Sequence, residues 1–175
     1  MSTVSVRAAR IADVKAIHAL LLYWAGEGKL LPRSLSQLYA NLRDFIVITE
    51  KNEQNQERLV GCCALALFWE DLAEVRSLAV APDCCRKGYG RRLIDVIVAE
   101  ARTLGLRKLF SLTYQTEFFA AMGFSQVSKD ILPQKIWSEC VNCPRFPDCD
   151  EVAVMRELEL EEPETEEKAC PAKGE

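Results

Sequence analysis

Glu74-Val75-Arg76-Ser77-Leu78-Ala79-Val80-Ala81-Pro82-Asp83-Cys84-Cys85-Arg86-Lys87-Gly88-Tyr89-Gly90-Arg91-Arg92-Leu93-Ile94 is the stretch that decides the fold. Its opening, Glu74 to Val80, is apolar and β-prone and ends at a proline. A basic loop with Gly88 and Gly90 follows, and a helical pattern starts at about Tyr89. A phosphate-binding loop needs this order of strand, glycine-bearing turn and helix. Glycines let the backbone approach an anion closely. The first helical amides have no intrahelical partners and point at it. Arg86, Lys87, Arg91 and Arg92 add positive charge. A nucleotide fits such a loop, as does a coenzyme carrying a pyrophosphate. The P-loop pattern is absent, since Lys87 precedes Gly88 and no Lys-Ser/Thr pair follows. The dinucleotide fingerprint is absent too, because it needs three glycines.

Working outward, residues 4–9 read as a strand and Asp13 to Ala25 as a helix, with Val14, Ile17, Leu20, Leu21 and Trp24 on one face. Asp13 stands near its N-cap, and Ser34 can cap a second helix carrying Leu35, Leu38, Tyr39 and Leu42. Phe45–Thr49 and Leu59–Phe68 read as a hairpin. After the loop come a helix over 89–103, a strand over Leu109–Tyr114, a short helix over Glu117–Met122, and strand patterns at 125–132 and 151–160. The sum is an α/β (α+β) chain with a mixed sheet and helices on both faces.

At 175 residues, one domain with a real core is expected. The net charge of −4 hides two regions. Residues 157–175 hold eight Glu and two Lys, while the rest sums to about +2. The expected domain therefore spans 1–160, with 161–175 an acidic, solvated, disordered tail. No nucleic-acid partner is expected, because the cations gather in the loop instead of along a face. No apolar run reaches the ~20 residues of a membrane helix, and the N-terminus lacks a signal-peptide core. A cytoplasmic location follows as the expectation. Cys62-Cys63 and Cys84-Cys85 are vicinal and unsuited to ordinary disulfides. Cys140-x-x-Cys143 with Cys149 is half of a zinc-site pattern, with Cys170, Asp148 or Asp150 as a further ligand. Packed reduced thiols are the competing reading.

The segment Cys85-Arg86-Lys87-Gly88-Tyr89-Gly90 resembles the acetyl-CoA loop of the GNAT superfamily of N-acetyltransferases, Gln/Arg-x-x-Gly-x-Gly/Ala. Cys85 departs from it at the first position. The resemblance covers roughly residues 3–158 in element order. It implies the GNAT fold, with splayed central strands, and acetyl-CoA as co-substrate. The coenzyme would lie on Leu78, Ala79 and Val80 and on Cys85, Arg86, Lys87, Gly88, Tyr89, Gly90 and Arg91. Three segments are similar to the acetyltransferase domain of N-acetylglutamate synthases: Leu31–Tyr39 with Arg43-Asp44-Phe45, Glu74–Val80, and Leu112-Thr113-Tyr114-Gln115 with Phe118-Phe119 and Gly123-Phe124. Leu132–Trp137 and Cys140-x-x-Cys143-Pro144 look typical of the short bacterial form without a kinase domain.

That resemblance implies acetyl transfer to the α-amino group of L-glutamate, the first step of arginine biosynthesis. Glutamate carries two carboxylates, and arginine binds carboxylates with a fixed fork. Arg33, Arg76 and Lys135 are the candidate substrate cations, and for each a plain surface cation competes. Glu74 is the first candidate base, followed by Glu70 and Asp71. A tyrosine that protonates the leaving thiolate in many GNAT enzymes is replaced by Phe119, which leaves Tyr114 as a weak substitute. His18, the single histidine, reads as structural. The alternatives are another small amine or a protein N-terminus as acceptor, or a regulatory module that binds acetyl-CoA without turnover. A homodimer stays open.

Overall fold

The computed structural model describes residues 3–133 and 148–160. Lys135, Cys140, Cys143 and the acidic segment from 161 lie outside the described residues. In chain order the elements are β1 (Thr3–Ala8), α1 (Val14–Gly26), α2 (Leu35–Ala40), β2 (Phe45–Lys51), β3 (Glu57–Leu67), β4 (Leu72–Val80), α3 (Tyr89–Thr103), β5 (Lys108–Thr113), α4 (Thr116–Ala121), β6 (Ser125–Gln126) and β7 (Val152–Glu157). The strands form one sheet in the order β1-β2-β3-β4-β5-β7-β6. Every pairing is antiparallel except β4 with β5. This is the expected GNAT architecture, with helices on both faces.

Strand alternation sorts the core into two layers. Phe45, Val47, Cys62, Ala64 and Ala79 meet Val14, Ile17, Leu21 and Leu38 of α1 and α2. Ile46, Ile48, Val60, Cys63, Leu65 and Val75 meet Leu93, Ile94, Ile97 and Val98 of α3. Leu93, Ile94 and Ile97 are fully buried; each contributes about 1.5–3 kcal/mol relative to exposure. Cys62 and Cys63 thus face opposite sides of the sheet.

Two local expectations change. The Asp13 carboxylate does not cap α1. It accepts from the Arg10 amide at 2.7 Å and from Arg7 at 2.7 and 3.0 Å, closing a 3-10 turn at Ile11–Asp13. The strand expected at 125–132 shrinks to Ser125–Gln126. Ser128 Oγ accepts from the Asp130 amide and starts a 3-10 turn at Lys129–Ile131, which ends the pairing. Ser34 does cap α2, in a reciprocal box with Gln37 at 3.2 and 2.8 Å.

Candidate active site

The site begins where the sheet opens. β4 and β5 pair at only three positions, Leu72–Lys108, Ala73–Leu109 and Glu74–Phe110, although β4 runs on to Val80 and β5 to Thr113. Past Glu74 the strands part. The Ala81 amide donates to the Val60 carbonyl at 2.7 Å, so the amide and carbonyl of Val80 point away from β3 and into that opening. Leu78, two residues earlier, shares the orientation. Trp24 of α1 reaches the same place, its Nε1 donating to the Val80 carbonyl at 2.8 Å.

A bulge lies in the middle of β4. Cys62 pairs with Ala79 and Ala64 with Arg76, so Ser77 and Leu78 together oppose Cys63. Ser77 adopts φ 55°, a left-handed conformation unfavourable for a serine. One extra residue reverses the alternation. Before it, Val75 faces α3; after it, Leu78 and Val80 pack on the α3 side while Ala79 faces α1. Arg76, whose facing the sequence leaves open, alternates with Val75 ahead of the bulge and faces α2. Its guanidinium lies 3.8 Å from Asp44 and 3.8 Å from Glu74, and the side chain is only 9% exposed.

Arg33, Gln37, Leu38, Asn41, Phe45, Arg76 and Ser77 line one cleft beside the bulge. Glu74 sits within β4, buried, next to Arg76. Glu70 occupies an exposed turn before β4. It lies ahead of the first residue of β4. Of the two, Glu74 stands next to a residue of the cleft lining, 3.8 Å from Arg76. Tyr114 follows β5 and donates to Asp150 Oδ1 at 2.7 Å. Phe119 is buried between Phe118 and Phe124, at ring separations of 5.5 and 5.1 Å.

On the other side of the opening, Pro82–Cys84 form a 3-10 turn and Gly88 caps α3 at φ 81°, beyond the reach of most side chains. Arg86 is also left-handed, at φ 64°. A Cβ on Gly90 would stand 3.2 Å from the Phe118 ring, which would have to give by a few tenths of an ångström to admit it. Cys85, Arg86, Lys87, Gly88 and Arg91 are exposed around the open helix amides. Beneath them lies Glu50, at the end of β2. It accepts from Tyr89 Oη at 2.5 Å and sits 3.6 Å from Lys87 Nζ. The Glu50 hydrogen bond, with burial, raises the Tyr89 phenol to about 12. Arg58 grips Asp83 through two bonds of 2.8 and 2.7 Å.

Of the expected cysteine cluster, only Cys149 is described; it is half-buried, 3.9 Å from the Glu151 carboxylate. Among the described residues no three potential ligands come together for a metal. Sequence reasoning missed Trp24 as a donor, Glu50 beneath the loop, Asp44 beside Arg76, and the bulge. Each depends on residues distant in sequence, and none carries a local signal. No described helix is long and apolar enough to cross a membrane.

The comparisons agree with this geometry. The chain is 40% identical to an uncharacterized N-acetyltransferase of Chlorobaculum tepidum, over 87% of its own length and 96% of that protein. It is 37% identical to an amino-acid acetyltransferase of Mycobacterium tuberculosis, over 77% of this chain and 75% of the other. Its fold is similar, at TM-score 0.78 and 33% identity, to N-acetylglutamate synthase from Neisseria gonorrhoeae complexed with coenzyme A and N-acetyl-glutamate. The similarity covers 90% of this chain but 35% of that longer one. The acetyltransferase (GNAT) family model matches residues 17–124, across the bulged strand, the loop and α3. An opened sheet, a glycine-capped helix and relatives of this identity lead to one conclusion: the chain belongs to the GNAT family and is an acetyl-CoA-dependent N-acetyltransferase.

Proposed function

We propose that this chain transfers the acetyl group of acetyl-CoA to the α-amino group of L-glutamate, in the cytoplasm, as the first step of arginine biosynthesis. The observation that carries the reading is one cleft holding both Arg33 and Arg76 beside the β4 bulge. A zwitterionic diacid has two carboxylates and one ammonium. Arg33 and Arg76 suit the carboxylates. Glu74 and Asp44, close to Arg76, suit the ammonium. Relatives support the acceptor: the similar Mycobacterium tuberculosis protein is named an amino-acid acetyltransferase, and the Neisseria gonorrhoeae synthase holds N-acetyl-glutamate.

In the mechanism that follows, Glu74 takes a proton from the ammonium, directly or through water. The freed nitrogen lone pair attacks the thioester carbon, and the carbonyl oxygen gains charge. The amide of Leu78, aimed into the opening, stabilises that oxyanion. The carbon–sulfur bond then breaks and CoA leaves as the thiolate. Tyr114 is the candidate to return a proton to sulfur, because Phe119 carries no hydroxyl. Positioning supplies most of the acceleration.

An acceptor panel with acetyl-CoA, following free CoA thiol, tests the reading. Glutamate should give the highest kcat/KM among amino acids, simple amines and peptide N-termini. Glutamate releasing no more CoA than buffer would sink it.

A further inference from the structure

We infer that Trp24 holds the place of a coenzyme amide: in the free enzyme its indole occupies the Val80 carbonyl, and the pantetheine arm displaces it on binding. The inference rests on the coenzyme arm lying in the opening between β4 and β5. A strand carbonyl demands a hydrogen-bond partner. Val80 has lost the one that β5 would provide, because the two strands pair no further than Glu74 and Phe110. Trp24 Nε1 supplies it at 2.8 Å, across a sequence separation of 56 residues.

Indole has a single donor and no acceptor. It therefore satisfies the carbonyl but leaves the neighbouring Val80 amide unmatched by the same ring. A pantetheine arm carries secondary amides, each with both an N–H and a C=O. Laid along β4 like an added strand, it matches both groups of Val80. The indole occupies the space that this arm needs. Trp24 lies in the last turn of α1 and is half-buried, touching Tyr23 edge-on at 5.0 Å and Lys29 at 4.7 Å from its ring. One side of it packs against the core layer that includes Val14, Ile17 and Leu21, and displacement exchanges part of that packing for contact with the arm.

The test compares CoA with adenosine 3′,5′-bisphosphate, which shares its phosphates but has no pantetheine arm. By calorimetry, Trp24→Phe should tighten CoA by about two- to tenfold, the worth of one neutral hydrogen bond no longer in competition. The bisphosphate should bind both proteins alike. Unchanged or weaker CoA binding by folded Trp24→Phe overturns the inference, as does equal tightening of both ligands. The wild-type protein gives an independent readout. In a 15N-indole spectrum, one slowly exchanging N–H should become fast-exchanging with CoA but not with the bisphosphate. No such change overturns the inference even if the variant does not fold. CoA affinity unaffected by Gly88→Asp would instead remove the loop placement, and the inference with it.

Discussion

The coenzyme loop and the acceptor cleft lie on two sides of one opened sheet, and they are built differently. The loop is contiguous: residues 81–91 supply its turn, its glycines and its cations. Its exposed cations are ready for an external anion. The cleft is assembled from the α1–α2 connection, α2, β2 and β4, and its buried arginine already has carboxylate neighbours within 3.8 Å. Anion binding at the loop therefore rests on backbone conformation. Binding at the cleft rests on redistributing charge among side chains. A break in the first is a break in affinity; a break in the second touches specificity and stability together.

The largest expected effect is on the loop. Gly88→Asp places a side chain at φ 81° and a negative charge among the helix amides. Left-handed strain alone costs about 1–2 kcal/mol. With lost charge-assisted bonds added, CoA affinity should fall by about a hundredfold or more. Calorimetry on the folded variant checks this, and an affinity within about threefold of wild type would refute the placement.

Arg33→Ala should act on the other side alone. Losing a charged hydrogen bond costs about 1.5–3 kcal/mol, so KM for glutamate should rise roughly tenfold to a hundredfold. KM for acetyl-CoA should stay within about twofold. If both constants rose together, the two sides would not be separable, and the contrast drawn above would fail.

Arg76 sharpens the contrast, because its guanidinium lies 3.8 Å from each of two carboxylates. Removing it takes one cation from beside Glu74, which is buried, and Asp44, which is partly exposed. Breaking such a cluster costs on the order of 2 kcal/mol, or about 4–8 °C in Tm for a chain of this size. Arg76→Ala should therefore lower Tm in a thermal melt. A melt unchanged from wild type would show that Arg76 carries no structural charge.

The same division decides what could be read from the sequence. The helix over 89–103 is found with those bounds, because Gly88 and the apolar spacing of Leu93, Ile94, Ile97 and Val98 are local signals. The hairpin of β2 and β3 and the cap at Ser34 were legible for the same reason. Strand β4 begins at Leu72, earlier than its pattern suggests, since Leu72 and Ala73 gain pairing partners on β5. The Ser77 bulge was not legible: extra residues leave no periodic trace, yet this one decides which way Leu78, Ala79 and Val80 face. Glu50 and Trp24 were invisible as site residues, because each reaches the site only through packing of distant elements.

The smallest expected effect belongs to Cys85, the position that departs from the usual loop motif. Its thiol is exposed and makes only a weak contact to the Ala81 carbonyl at 3.6 Å. The loop is held from elsewhere, by Glu50 on Tyr89 and Lys87 and by Arg58 on Asp83. Cys85→Ser should therefore change CoA affinity by less than about twofold. The neighbouring thiols differ: Cys84 is buried, and burial pushes Cys62 up to about 12, which leaves almost no reactive thiolate at neutral pH. Alkylation followed by peptide mass spectrometry should label Cys85 ahead of Cys62, Cys63 and Cys84, and saturating CoA should slow that labelling. Labelling of Cys85 indifferent to CoA would place the coenzyme away from the loop. A large affinity loss in Cys85→Ser would show instead that the side chain, and not the backbone it stands on, makes the contact.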